Sequence, residues 1–204
     1  PCSRYWRAAV CSSDLAPFLD LSLSPDSVFV DDTRVARYDV VRQRVGADLG
    51  TTWHGVELRV GAYFGQTKVS LDTGSPTLPE ERLTDTGLRA RLLYDSLDSI
   101  GVPRSGSRLS LEAQNPLEAL GADVQYTRTA LDAVSAFSFG DRQDNTIALR
   151  LKGGTSFGAQ MPYYDQFPLG GFLNLSGYAN QQFRGNDEAF GALVYYRQIA
   201  SLPP

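Results

Sequence analysis

The longest unbroken alternation in this chain runs from Val56 to Gly65. Val56, Leu58, Val60, Ala62 and Phe64 take one face, and Glu57, Arg59, Gly61, Tyr63 and Gly65 take the other. A period of two sends successive side chains to opposite faces of an extended strand. The same period recurs where Leu88, Ala90, Leu92 and Tyr94 alternate with Arg89, Arg91 and Asp95. It recurs again where Ile147, Leu149 and Leu151 alternate with Arg150 and Lys152. Further strands are expected from Phe18 through Leu19, Leu21 and Leu23, over residues 34–51, around Leu109 and Leu111, over residues 120–139, and from Asp187 to Ile199. Turn-forming residues punctuate these runs. Ser24-Pro25-Asp26 and Asn115-Pro116 are expected to break strands. Turns are expected near 53–55, Gly101–Gly106 and Gly140–Asn145, with an exposed loop over 72–81 and an irregular segment from Ala159 to Asn186. The pattern is all-β, with about eight antiparallel strands joined in sequence.

Strand length and charge narrow the choice. Soluble strands typically run ~5–6 residues, whereas a strand that crosses a bilayer needs ~9–11. Charges on one face of long strands are costly against lipid and tolerated in a water-filled lumen. Glu57, Arg59, Arg89, Arg91, Arg150 and Lys152 are therefore expected to face such a lumen. The alternative is a soluble sheet, such as a β-sandwich binding module, with one solvated face. The chain of 204 residues carries a net charge of −4, which argues against a nucleic-acid footprint. It has no apolar run long enough for a transmembrane helix, which does not bear on strands. Its 19 glycines, 10 tyrosines and 10 phenylalanines suit a membrane barrel and a β-sandwich alike.

Candidate chemistry is sparse. Gly154-Thr-Ser-Phe-Gly158 spells G-x-S-x-G, but a nucleophile elbow needs a helix after the serine, and residues 159–164 start none. The only histidine, His54, is expected at the opposite end of the strands, so Ser156 is not expected to be a nucleophile. Asp31, Asp32, Glu80, Glu81, Asp141 and Asp144 lack calcium-loop spacing and read as solvated turns. No catalytic residue, metal or cofactor is expected. Trp53, Tyr163, Tyr164, Tyr178, Tyr195 and Tyr196 are candidates for an aromatic girdle or for ordinary packing. Pro1–Leu15 has no hydrophobic period. The string from Val10 to Leu15 reads as a translated sequencing adaptor, with an irregular N-terminal segment as the alternative, so Cys2 and Cys11 support no disulfide or metal argument.

Phe167–Tyr178 reads FPLGGFLNLSGY. It resembles the lid-loop signature of the bacterial surface-antigen barrels, the Omp85 superfamily, in which F-x-L-G-G precedes R-G-F/Y. Phe167, Leu169, Gly170 and Gly171 match the first half, and Gly177 and Tyr178 the second. Ser176 stands where most of that family has arginine, as in the barrels that follow a patatin-like lipase domain. The resemblance implies a transmembrane, up-and-down antiparallel β-barrel in the bacterial outer membrane, here partial and occupying residues 16–204. It implies membrane lipids and a covalently linked passenger as partners, and no enzymatic step in this chain. It also implies that the loop folds into the lumen, where the missing arginine would contact the wall. Serine offers neither the charge nor the fork, and Arg184 is the nearby candidate substitute. The alternatives are a surface-antigen translocase or insertase barrel and a small free-standing structural barrel.

With the signature loop on the outer face, alternation places 115–120, 72–81 and 24–33 outside and the turns near 140–145, 98–105 and 52–55 at the periplasmic end. That is the loop pattern of outer-membrane barrels. The chain is expected to be a fragment of a larger barrel, because no periplasmic domain precedes it and it runs out at Ser201–Pro204, just past a strand.

Overall fold

A computed structural model describes residues 14–30, 33–74, 80–140, 143–172 and 174–199. The expectations placed on residues 1–13, on Asp31, Asp32 and Asp141, on the middle of the 72–81 loop and on residues 201–204 lie outside the described residues. The strands among them are β1 (Asp14–Val30), β2 (Thr33–Trp53), β3 (Val56–Thr73), β4 (Glu81–Thr84), β5 (Gly87–Asp95) and β6 (Gly106–Pro116). They continue with β7 (Arg128–Phe139), β8 (Asn145–Thr155), β9 (Phe167–Leu169), β10 (Phe183–Gly185) and β11 (Asp187–Arg197). Two single 3-10 turns, Glu118–Leu120 and Tyr163–Asp165, are the only helical elements described.

One antiparallel sheet runs in the order β1-β2-β3-β5-β6-β7-β8-β11, with β4 attached to β3 and a separate ribbon of β9 and β10. The register keeps like with like. Leu58, Leu92, Leu111 and Leu131 stand side by side across β3, β5, β6 and β7. A slip of one residue would move every such row to the other face. The apolar face is exposed along its length: Leu19 and Leu193 are 69% and 71% accessible, and Val45, Leu49, Val60 and Phe64 are also exposed. So large a continuous apolar surface is foreign to a soluble monomer.

The opposite face is concave. Arg42 of β2 donates to the side chain of Asp165, and Arg128 of β7 donates to the Asp165 carbonyl oxygen. Those strands lie four steps apart, about 19 Å measured along the sheet. A single aspartate reaches both only if the sheet curls around it. The sheet stays open, with β1 and β11 as its ends, and is an open half-barrel. β5 to β8 and β11 are 9 to 12 residues long, the length of a crossing strand. β1, β2 and β3, at 17, 21 and 18 residues, project further at one end.

Three expectations are corrected. Ser24-Pro25-Asp26 does not break β1, and Pro25 pairs with Asp39. β1 is bonded on one side only, where a missing N–H is tolerated. The strand expected from residue 120 begins at Arg128. Before it, Leu117 N–H donates to Thr86 O and Asp123 N–H to Thr84 O, so that segment is tied to the β4–β5 connection instead of a ladder. The loop expected through residue 81 ends in β4, which pairs with the projecting part of β3.

The turn between β5 and β6 carries a pH-dependent fastening. Asp98 Oδ1 accepts the N–H groups of Arg104 and Ser105 at 2.9 and 3.2 Å. These bonds, Arg104 first, hold the Asp98 carboxyl below its ordinary range. A depressed carboxyl pKa gives order that is complete above the ordinary value of about 3.9 and fades as pH falls through the lower folded value. The Arg104 and Ser105 amide chemical shifts are therefore expected to be constant above pH ~5 and to move below pH ~4. Asp98→Asn is expected to abolish that movement; the same titration in both proteins would contradict the assignment.

Candidate functional site

Between β8 and β11 the chain leaves the sheet and returns as a strap across the concave face. Close approach begins at Gly154, where a Cβ would collide with the Phe167 ring. Phe167 is 2% accessible and packs with Tyr126 and Met161. The Arg128 guanidinium lies 4.3 Å from the centre of its ring.

Asp165 is the hub of the strap. Pro162 sets the extended entry, and the Asp165 N–H closes the 3-10 turn onto Pro162 O at 2.9 Å. One carboxylate oxygen accepts from Arg42 and the other from the Tyr126 hydroxyl, while the Asp165 carbonyl accepts from Arg128 at 3.1 Å. Arg42 also donates to Tyr164 O at 3.3 Å. A buried carboxylate would be costly alone, and here a cation and a hydroxyl satisfy it. Burial first, and then the Asp165 charge, raise the pKa of the Tyr126 hydroxyl, which stays a neutral donor.

A second fastening lies at the β1 flank. Arg184 of β10 pairs with Asp26 of β1, with both side chains buried. Arg184 also donates to Tyr163 O at 3.1 Å, and the Tyr163 hydroxyl donates to Ser27 O at 2.7 Å. The strap therefore touches β1 and β2 on one flank and β7 and β8 on the other.

The signature residues divide between two places. Phe167 and Leu169 sit in β9, which pairs with β10 so that Leu169 faces Phe183 and Phe167 faces Gly185. Gly170 and Gly171 turn the chain out at φ of 122° and 105°, a region that favours glycine. Ser176, Gly177 and Tyr178 lie at the exposed tip, with the Tyr178 ring edge-on to Phe183 at 4.8 Å.

The six charged residues singled out in the sequence all lie on the concave face, in two groups. Arg89 forks onto Asp48, with Nε at 2.9 Å; Arg59 pairs with Glu57; and Arg91 stands 3.4 Å from Glu112. Arg150 and Lys152 lie apart on β8, Lys152 opposite Asp132 in register. Sequence reasoning passed over Arg42, Arg44 and Asp48, although their even spacing in β2 carries the same signal as Arg59. Arg44 donates to Asp85 at 2.7 Å through Nε and lies 4.8 Å from the Tyr63 ring centre. Asp165 had no periodic signal. Among the aromatics, Trp53 and Tyr195 are exposed on the apolar face, whereas Tyr163 and Tyr164 belong to the strap and Tyr196 to the concave side.

Ser156 is 1% accessible, and its hydroxyl donates to Ala159 O at 2.6 Å. The turn that follows, with Phe157 and Gly158 at positive φ, leads into no helix. His54 lies at the far end of the strands, edge-on to Trp53. Among the described residues no cluster of His, Cys, Asp or Glu is arranged to hold a metal. The arrangement is suited to holding a chain segment across a charged concave face.

No curated protein matches this sequence. Among solved structures, the fold is similar to the crystal structure of BamA from Haemophilus ducreyi lacking POTRA domains 1-3, with a TM-score of 0.53 and 16% identity. That match covers 77% of this chain and 37% of that one, so the chain spans little more than a third of its structural relative. The likeness is one of fold. The model of the Omp85 superfamily domain matches residues 15–198, nearly the whole sheet together with its strap. The chain belongs to the Omp85 superfamily.

Proposed function

We propose that this chain is part of an outer-membrane barrel that anchors or translocates a passenger on the same polypeptide, and that the passenger is a patatin-like lipase domain. The membrane reading is carried by the two faces of the sheet, one exposed and apolar on every long strand, the other concave and lined by paired charges. The apolar face suits lipid and the charged face suits an aqueous lumen. The passenger reading rests on Ser176 in the L-S-G-Y variant of the signature. The barrel performs no chemistry in this reading, and the strap spans its lumen.

A translocase or insertase barrel is the second reading, and one observation favours it. Arg184 holds the strap to Asp26 on β1, the kind of loop-to-wall arginine contact that Ser176 cannot make. Sequencing the gene through both ends from source DNA separates the two. A lipase domain upstream, with its own G-x-S-x-G, is the expected result; upstream POTRA repeats would favour the second reading. Recovery of the expressed chain in the soluble fraction without detergent would overturn both.

A further inference from the structure

At the end of the half-barrel opposite the strap, residues 96–105 fold over the concave face. Ser138 Oγ donates to Arg104 O at 2.7 Å, and Arg104 donates to Gln143 O, so this turn is fastened to β7 and to the turn after it. Beneath it lies a cavity of about 740 Å³, within the size range of small-ligand sites. Leu97, Ile100, Val102, Val134, Ala148 and Val194 give it an apolar wall. The charged lining is cationic in excess, with Arg104, Arg108, Arg150 and Arg197 against Asp132 and Asp144.

Two lining residues carry a donor with no acceptor among the described residues. Arg150 Nε and the Tyr196 hydroxyl are both buried and, among the described residues, make no hydrogen bond. Arg150 forms no ion pair there either, whereas Arg108 lies 3.7 Å from Asp95. A buried donor without an acceptor is costly, and Arg150, a lining cation with no ion pair among the described residues, suits an anionic group attached to an apolar body. Ala192 pairs with Arg150 and Tyr196 with Thr146, which puts Arg150 about 13 Å deeper along the strands than Tyr196. The apolar wall fills that interval.

We propose that this cavity binds a single-chain amphiphile bearing a carboxylate, with Arg150 as its counter-ion and the alkyl chain lying along Ala148, Val134 and Val194 toward Ile100. The ligand class is an unbranched fatty acid or a chain of the same shape and charge.

The test uses the full chain folded in an uncharged maltoside detergent with a fluorescent fatty acid bound. Dodecanoate, dodecanol and dodecyltrimethylammonium are compared as displacers. Dodecanoate is expected to displace the probe saturably, one per chain, at about tenfold lower concentration than the other two. Arg150→Gln is expected to erase that preference. Lys152→Gln, which removes a cation from the same strand outside the cavity lining, is expected to keep it. Equal displacement by dodecanol, or an unchanged preference in a natively folded Arg150→Gln variant, would overturn the proposal. Should Arg150→Gln fail to fold, the three displacers against the unsubstituted chain and Lys152→Gln decide the matter.

Discussion

Asp165→Ala is expected to release the strap from both flanks of the half-barrel. The substitution leaves the Arg42 guanidinium and the Tyr126 hydroxyl facing each other in a buried space with no carboxylate between them. Removing one partner of a buried ion pair typically costs about 3–5 kcal/mol. Arg42 is partly accessible, which draws the expectation toward the lower end of that range. Limited proteolysis within residues 156–186, set beside the urea midpoint in detergent, reads the effect. Asp165→Asn keeps the shape and one acceptor for Tyr126 and should cost less. Gly154→Val attacks the same strap by another route, because its side chain must displace the buried Phe167 ring; overpacking of this kind costs about 1–3 kcal/mol. Unchanged protease resistance in Asp165→Ala would show that the strap is held elsewhere.

Val60→Arg is the second large effect. Val60 is exposed on the apolar face, near the middle of the first ten residues of β3, with Leu49 and Ala90 as its neighbours in register. An arginine there meets lipid near the bilayer midplane, at a cost of about 2–4 kcal/mol. Leu58→Arg should behave similarly. Arg59→Leu, one position from each, removes a partly accessible ion pair with Glu57 and should cost far less than either. The comparison is made as unfolding free energy in liposomes. Equal costs on the two faces would overturn the assignment of one face to lipid.

The strands were legible because each had to satisfy two environments at once. Val56–Phe64 and Leu88–Tyr94 alternate strictly, and the register rows of the sheet follow from that alternation. Pro25 misled because sequence does not tell an end strand from a central one. The delay before β7 was hidden because the segment around Asp123 bonds to Thr84, far away in sequence. The strap was marked by its F-x-L-G-G run, of which Phe167 and Leu169 lie in β9 and the two glycines turn the chain out of it. Asp165 and Arg42, which hold it, are 123 residues apart and share no local pattern. Arg42 and Arg44 could have been found by applying to β2 the parity argument used for β3.

The most direct test of the account is solvent accessibility residue by residue. Cys2 and Cys11 are replaced by serine, and single cysteines are placed at positions 57 to 60 of β3 and 149 to 152 of β8. The protein is reconstituted in liposomes and treated with a charged maleimide. A sheet with one face in lipid predicts alternation in both strands: cysteines at 57, 59, 150 and 152 react, and those at 58, 60, 149 and 151 react only after detergent is added. Equal reactivity at all eight positions before detergent would mean that water reaches both faces, and would contradict the membrane barrel.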